Sequence, residues 1–214
     1  MIRGIILASA LLMSASVAAA QGRCSDAVKA PGTGGWGEYL VVAPRGEAPS
    51  TVRFAIVGRE ERGGGRMVRF ETRVRGRGGG SVVTQVVVPG YPYENSALQE
   101  VVVQRGSEPG VRWGPSLLAR ARASSQSSLQ RLISEACAGG ALVGEEEITV
   151  PAGVFRTRHF RNAEAGSDIW VSEAVPFGIV KVTGPEGASM ELLGQGADGR
   201  SSVVGELRVV NGAN

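Results

Sequence analysis

The clearest structural signal in the chain is an alternating stretch, Val68-Arg69-Phe70-Glu71-Thr72-Arg73-Val74-Arg75. Apolar residues and threonine hold the even positions, and charged residues hold the odd positions. Successive side chains of a β-strand point to opposite faces of a sheet. The stretch therefore predicts a strand with one face in the core and the other in water, which is typical of antiparallel sheets.

Similar strand signals lie on both sides of this stretch and are separated by Gly-rich loops. Residues 59–65 form one such loop, and residues 75–80 form the next. Short loops join antiparallel neighbours, whereas parallel neighbours need crossovers of about a dozen residues. The sequence therefore predicts an antiparallel meander, with further strands over 39–42, 52–56, 81–88, 98–104, 147–150, 154–161, 169–171, 179–183, 190–193 and 202–210.

One segment between the strands has helical periodicity instead. Pro115 suits the first position of a helix, and four apolar residues recur with the spacing of one helix face: Leu129, Leu132, Ile133 and Ala136. The pattern predicts a helix or helical hairpin over about 115–138. A long antiparallel sheet with so little helix must curl to bury its apolar face. The predicted fold is mainly β (α+β), a curved antiparallel sheet forming a half-open barrel around one helix or helical hairpin.

The N-terminus has the layout of a secretory signal peptide. Arg3 precedes a short apolar run, and Val17-Ala18-Ala19-Ala20 supplies small residues at a cleavage position. We expect residues 1–20 to be a signal peptide cleaved near Ala20, and the protein to be periplasmic or secreted. No later apolar run approaches the ~20 residues of a membrane span, so we expect a soluble protein without one. Residues 21–37 predict a flexible lead-in, and 38–214 predict a single domain.

Two cysteines, Cys24 and Cys137, remain after this cleavage. In an exported protein an even count favours a disulfide, and two buried free thiols are the alternative. Metal sites need more ligands than two thiols and the lone His159 offer. We therefore expect neither a metal nor a cofactor.

Composition limits the class of protein further. The chain has 214 residues, of which 43% are hydrophobic, which excludes a charge-rich disordered protein. Its 23 basic and 20 acidic residues leave a net charge of only +3. Nucleic-acid binders normally carry a larger basic surplus on one face, so we expect no nucleic-acid partner.

The sequence offers little support for an enzyme. A Ser-His-Asp or Cys-His site would have to use His159, the only histidine, and no nucleophile or phosphate-loop motif is present. The densest carboxylate cluster, Glu145-Glu146-Glu147, is adjacent in sequence, so its side chains alternate on a strand and cannot form a facing pair. We expect a protein that is not an enzyme.

Two groups of residues are candidates for binding. The first group is a candidate apolar face for a ligand and comprises Phe70, Leu129, Leu132, Ile133, Phe155, Trp170 and Phe177. The alternative is that these residues form the ordinary hydrophobic core. The candidate anion-facing group comprises Arg69, Arg73 and Arg75, since guanidinium groups hold phosphate and carboxylate well. A solvated strand face is the alternative for these arginines.

Two further stretches carry a family resemblance. They are Val150-Pro151-Ala152-Gly153-Val154-Phe155, continuing to His159, and Asp168–Val182, which contains Trp170 and Val175-Pro176-Phe177-Gly178. This pattern resembles uncharacterised exported bacterial proteins that are distantly similar to the half-barrel carriers of periplasmic lipoproteins. The resemblance implies a fold with a concave apolar face rather than a reaction, and no residues match the carriers' lipoprotein-handling groups.

These features together favour a soluble exported envelope protein that binds or carries a lipid-like or other apolar ligand. The first alternative is a structural or interaction subunit of the cell envelope, with an envelope protein as partner and a core filled by its own side chains. The second alternative, which no constellation of residues supports, is a hydrolase acting on envelope polymers.

Overall fold

The structure is a computed structural model that describes residues 23–46, 48–76, 78–124 and 128–211. The predicted signal peptide, residues 1–20, lies outside the described residues. Three helices are present in this part of the chain: α1 (Cys24–Ala27), α2 (Pro115–Ala123) and α3 (Ser128–Cys137). The strands are β1 (Trp36–Val42), β2 (Ser50–Arg62), β3 (Gly65–Arg75), β4 (Ser81–Val88), β5 (Glu100–Arg105), β6 (Val111–Trp113), β7 (Ala141–Val150), β8 (Gly153–Asn162), β9 (Ser167–Val171), β10 (Ile179–Thr183), β11 (Ser189–Gly196) and β12 (Arg208–Val210).

All of these strands belong to one curved, unclosed sheet, in the order β12-β6-β5-β4-β3-β2-β1-β11-β10-β9-β8-β7. The strands β1–β6 form one antiparallel meander and β7–β11 form a second, and the antiparallel pairing of β1 with β11 joins them. The pairing of β12 with β6 is parallel. The predicted mainly β fold with a curved antiparallel sheet is therefore confirmed, whereas the half-open barrel around a helix stays a prediction.

The helices α2 and α3 connect distant parts of the sheet. They follow β6, which lies beside one edge, and lead into β7, which forms the opposite edge. Helix α2 begins with Pro115 at its first turn and contacts β6, while α3 contacts β8, β9 and β10. None of the helices in the described residues is long and apolar enough to cross a membrane.

The face of the sheet toward these helices, here called the inner face, carries the main apolar core. At its centre four rings form an aromatic cluster: Phe54, Phe70, Tyr91 and Phe177, with centroids 5.1–6.3 Å apart. Phe177 reaches this position from the loop between β9 and β10, where its φ is 65°. The side chain is 1% exposed, so burial of a large aromatic surface offsets the cost of an unusual backbone conformation.

Part of the predicted lead-in, residues 21–37, packs into the core. Within the predicted flexible lead-in, residues 24–27 form α1, and Cys24, Ala27 and Val28 are buried in the core. A disulfide joins Cys24 to Cys137 at the end of α3, which confirms the predicted bridge. The disulfide and the burial of these residues attach the start of the segment to the core, and the flexibility of residues 21–37 stays a prediction.

The opposite face, here called the outer face, is covered in its N-terminal half by residues 197–207. The buried Glu71 accepts hydrogen bonds from the Gln85 side chain (2.7 Å) and from the backbone N–H of Ser202 (2.9 Å). Gln85 also donates to the Ser201 hydroxyl. The strand predicted over 202–210 is therefore limited to β12, because the preceding residues bond to side chains of the sheet rather than to a neighbouring strand.

Candidate functional site

An open groove lies between α2 and the inner face of β4, β5 and β6. Its volume is about 550 Å³, within the usual range for small-molecule sites. Most lining residues are apolar or neutral, and the set comprises Thr84, Val86, Tyr93, Asn95, Leu98, Val101, Trp113, Leu117, Arg120, Ala121, Ser124 and Gln130.

Two hydrogen-bonded contacts fix α2 as the wall of this groove. Arg122 Nε donates to the carbonyl of Leu98 (2.7 Å), and Asn95 Nδ2 donates to the carbonyl of Ser124 (3.0 Å). The helix has an apolar side toward the sheet, where Leu118 and Ala121 pack against the core. These contacts hold α2 against the segment before β5 without closing the space above Val101.

A smaller cavity of about 280 Å³ adjoins the groove and shares Tyr93 and Gln130 with it. Tyr91, Ile133 and Cys137 also line it. Burial raises the pKa of Tyr93 to about 12, although a hydrogen bond involving Gln130 acts in the opposite direction. The phenol is therefore neutral at physiological pH and adds no charge to either space.

An uncovered apolar strip continues from the groove along the inner face. Val82 precedes the groove residue Thr84 by two positions on β4, so both side chains point to the same face. Val82 pairs with Val74 of β3, and the two are 39% and 38% exposed. The groove therefore opens onto exposed apolar surface, and the exposed Arg105 of β5 lies opposite Val82 on the same face.

The predicted apolar-face residues lie mainly in the core rather than in this groove. Phe70 and Phe177 belong to the aromatic cluster, and Ile133 is buried where α3 meets the smaller cavity. Leu132 and Phe155 are partly buried and pack against the core. The side chain of Leu129 lies outside the described residues.

The structure places Trp170 on the outer face, away from the other residues of the predicted apolar face. It alternates on β9 with Ile169 and Val171, which are fully buried in the core. Its indole N–H donates to Glu146 Oε1 (2.6 Å), and its ring stacks on His159. A short apolar strand predicts burial, but its sequence does not show on which face of the sheet the indole of Trp170 lies.

The predicted anion-facing arginines also point to the outer face, because they alternate with Phe70 on β3. Arg69 forms ion pairs with Glu100 (2.8 Å) and Glu60 (3.3 Å), and Arg73 lies 4.0 Å from Glu38. Desolvation lowers the pKa of Arg69, but the two carboxylates outweigh it and the pKa is raised. Arg75 is exposed. These arginines therefore do not border the groove, and its guanidinium group comes instead from Arg120, which the sequence analysis did not select.

A second polar cluster surrounds His159 on the outer face of β7–β9. The ring Nδ1 lies 3.0 Å from Glu146 Oε1, and Nε2 lies 2.6 Å from Asp168 Oδ1. Arg161 Nε also donates to Asp168 Oδ1 (2.7 Å). Both ring nitrogens therefore contact carboxylates, and the side chain is 8% exposed. Sequence analysis missed this cluster because its members come from three strands.

Comparisons with known proteins give little beyond this geometry. No protein-family model matches the chain, and no curated protein matches it in sequence. A similar solved structure is a Bacteroides fragilis protein with a YmcC-like fold, described as exported, which shares 10% sequence identity. The match covers 79% of this chain and 99% of that chain with a TM-score of 0.37. That likeness is too loose to carry any conclusion about function.

Proposed function

We propose that the protein is an exported, non-enzymatic binding protein that holds an elongated apolar ligand in the groove between α2 and β4–β6. The observation that carries this proposal is an open space of about 550 Å³ lined by Val86, Val101, Leu117 and Trp113. Ligand sites are typically concave and mostly apolar, with a small number of polar groups. Burial of an acyl chain in such a space is favourable by about 25 cal/mol for each Å² removed from water.

The arrangement of the core supports this position for the ligand. The aromatic cluster fills the centre of the inner face, and Phe177 and Tyr91 are nearly inaccessible there. Room for a ligand therefore lies beside the cluster, in the groove that α2 borders and in the smaller cavity that adjoins it. The exposed Val74 and Val82 extend this surface and give a long ligand room beyond the groove.

The filled centre also favours a second candidate function, an interaction subunit of the cell envelope. A core that is closed by four packed rings needs no ligand for its stability. In that case the groove and the exposed strip would receive a side chain or a segment of another envelope protein. The two candidates differ in whether a small apolar molecule binds to the isolated protein.

The experiment uses a neutral apolar dye, N-phenyl-1-naphthylamine, whose fluorescence rises on transfer from water to an apolar site. Ala121 lies in the groove, so Ala121→Phe fills it, whereas Ala123→Phe adds the same ring at an exposed position of the same helix. We expect saturable binding to the wild-type protein and to Ala123→Phe, and at least tenfold weaker binding to Ala121→Phe.

Circular dichroism and thermal unfolding establish that each variant is folded before binding is compared. Absence of saturable dye binding to the folded wild-type protein would contradict the proposal and favour the interaction subunit. Equal binding to both variants would show that the dye occupies another site. Mass spectrometry of lipids extracted from the purified wild-type protein then identifies any ligand that is retained.

A further inference from the structure

Among the described residues that line the groove, the side chains carry one formal charge, and that charge is positive. Of the side chains that line it, Arg120 is the one with an ionisable group that is charged at neutral pH. The Tyr93 phenol is neutral because burial raises its pKa to about 12. A ligand in this groove therefore meets an extended apolar surface and one guanidinium group.

The helix places Arg120 on the groove side of α2. Leu117, Ala121 and Ser124 line the same groove, and they lie three or four residues from Arg120 or one another. Residues with this spacing share one face of a helix. The neighbouring Arg122 is not equivalent, because its guanidinium donates to the Leu98 carbonyl and serves to hold the helix.

The guanidinium of Arg120 is available to a ligand. No carboxylate within the described ranges forms an ion pair or hydrogen bond with it, whereas Arg62, Arg69 and Arg112 are all paired with Glu100. The side chain is exposed, so it reaches solvent at the mouth of the groove rather than the apolar floor. A ligand can therefore keep a charged end at the mouth while its apolar part lies along Val86 and Val101.

We propose that the ligand is an amphiphile with one acyl-like chain and one oxyanion group, and that Arg120 binds the oxyanion. This inference rests on the proposed function. Guanidinium groups bind carboxylate and phosphate through paired N–H donors, and such charge-assisted bonds are stronger than neutral ones. The oxyanion is the carboxylate of a free fatty acid or the phosphate of a lipid headgroup, and the structure fits either.

The test measures displacement of N-phenyl-1-naphthylamine by three probes with the same chain: dodecanoate, dodecyl phosphate and dodecanol. The two anions are used below their critical micelle concentrations, and dodecanol is used below its solubility limit. We expect both anions to displace the dye from the wild-type protein at about fivefold lower concentration than dodecanol. A difference of this size corresponds to the binding free energy of one partly exposed ion pair. In Arg120→Gln this preference should disappear, while displacement by dodecanol stays unchanged.

Arg200→Gln is the matched control, because Arg200 is also exposed but lies in the segment that covers the outer face. This variant should retain the full preference for the anions. A stronger effect of dodecyl phosphate than of dodecanoate would identify the phosphate source, and the reverse would identify the carboxylate.

The possible failures are distinct. If no probe displaces the dye, or the dye does not bind, the proposed function itself fails. If dodecanol is as effective as the anions on the wild-type protein, the ligand is not recognised by charge, and the inference is wrong while the groove remains a binding site. If the preference survives in Arg120→Gln, or is lost equally in Arg200→Gln, Arg120 does not bind the oxyanion.

Discussion

The imidazole of His159 stacks on the indole of Trp170, with ring centroids 4.3 Å apart and planes inclined by 16°. The two residues are directly paired across β8 and β9. Glu146 joins them, since its Oε1 accepts from the Trp170 indole and lies 3.0 Å from His159 Nδ1. The arrangement holds the imidazole between two carboxylates on the outer face of the sheet.

The carboxylate of Asp168 should stabilise the protein in a pH-dependent manner. Partial desolvation raises its pKa, but hydrogen bonds from His159 and Arg161 outweigh this effect, and the pKa is lowered. The stabilisation is therefore fully present above the pKa of the unfolded state, near 3.9, and is lost as the pH falls through the lower folded value. We expect Asp168→Asn to lose about 1–2 kcal/mol of unfolding free energy at pH 7.

Urea unfolding of the wild-type protein and Asp168→Asn at several pH values measures this difference. The gap between the two proteins should shrink as the pH falls below about 4. Glu164→Gln, at an exposed loop position, should show no such gap. A gap for Asp168→Asn that stays constant down to pH 3 would contradict the prediction.

Gly178 should tolerate no side chain. Its φ is 74°, and a Cβ there would collide with the carbonyl of Ala27. Gly166 has a similar φ of 61° but open space around the added carbon. Gly166→Ala should therefore cost only the strain of the backbone, about 1 kcal/mol, whereas Gly178→Ala should cost at least ~2 kcal/mol more because α1 must move. Denaturant unfolding of the two variants provides the comparison, and equal losses would show that α1 does not restrict Gly178.

Phe177→Ala should be among the most destabilising single substitutions. The ring lies at the centre of the aromatic cluster, 5.1 Å from Tyr91 and 5.8 Å from Phe70. Its removal leaves a cavity that the rigid sheet cannot close, so we expect a loss of about 3–5 kcal/mol. Phe155→Ala, at a partly buried ring on β8, should cost distinctly less. Thermal unfolding ranks the two variants, and a smaller loss for Phe177→Ala would refute the assigned role of its ring.

The disulfide between Cys24 and Cys137 should stabilise the folded protein, because it closes a long loop and so lowers the conformational entropy of the unfolded chain. The two residues are 113 positions apart, for which the chain-entropy account gives a stabilisation of roughly 5 kcal/mol. The double variant Cys24→Ser/Cys137→Ser should lose stability on this scale. Peptide mapping without reductant should recover the two cysteine peptides as one linked species, and two alkylatable thiols would show that the bridge does not form.

Much of the sheet follows from local sequence pattern. The alternation in β3 predicts its two faces, and the Gly-rich loops predict its antiparallel pairing with β2 and β4. The pairing of β1 with β11 could not be predicted in the same way. These strands lie about 150 residues apart, and their register depends on how both meanders pack rather than on a turn between them.

The candidate site was harder to predict than the fold. Phe70 and Phe177 are apolar and buried, yet they lie in the core and do not line the groove. Phe177 belongs to the loop between β9 and β10, so the alternation of the strands does not predict where its ring lies. The charge of the groove comes from Arg120 on a helix of weak amphipathic character, while the arginine-rich strand faces the other way. The face of the sheet on which the charged side chains of β3 lie depends on what covers each face. Here residues 197–207 cover the face that carries Glu71, and Ser202 donates a hydrogen bond to it.

That C-terminal segment has a consequence for biosynthesis. Gln85 and Gln104, from the first meander, find hydrogen-bond partners at Ser201 and Val204, which lie 116 and 100 residues further along the chain. During synthesis the first meander therefore holds these buried amides without their native partners until residues 201–204 have left the ribosome. Over that interval the first meander should depend on protection from aggregation.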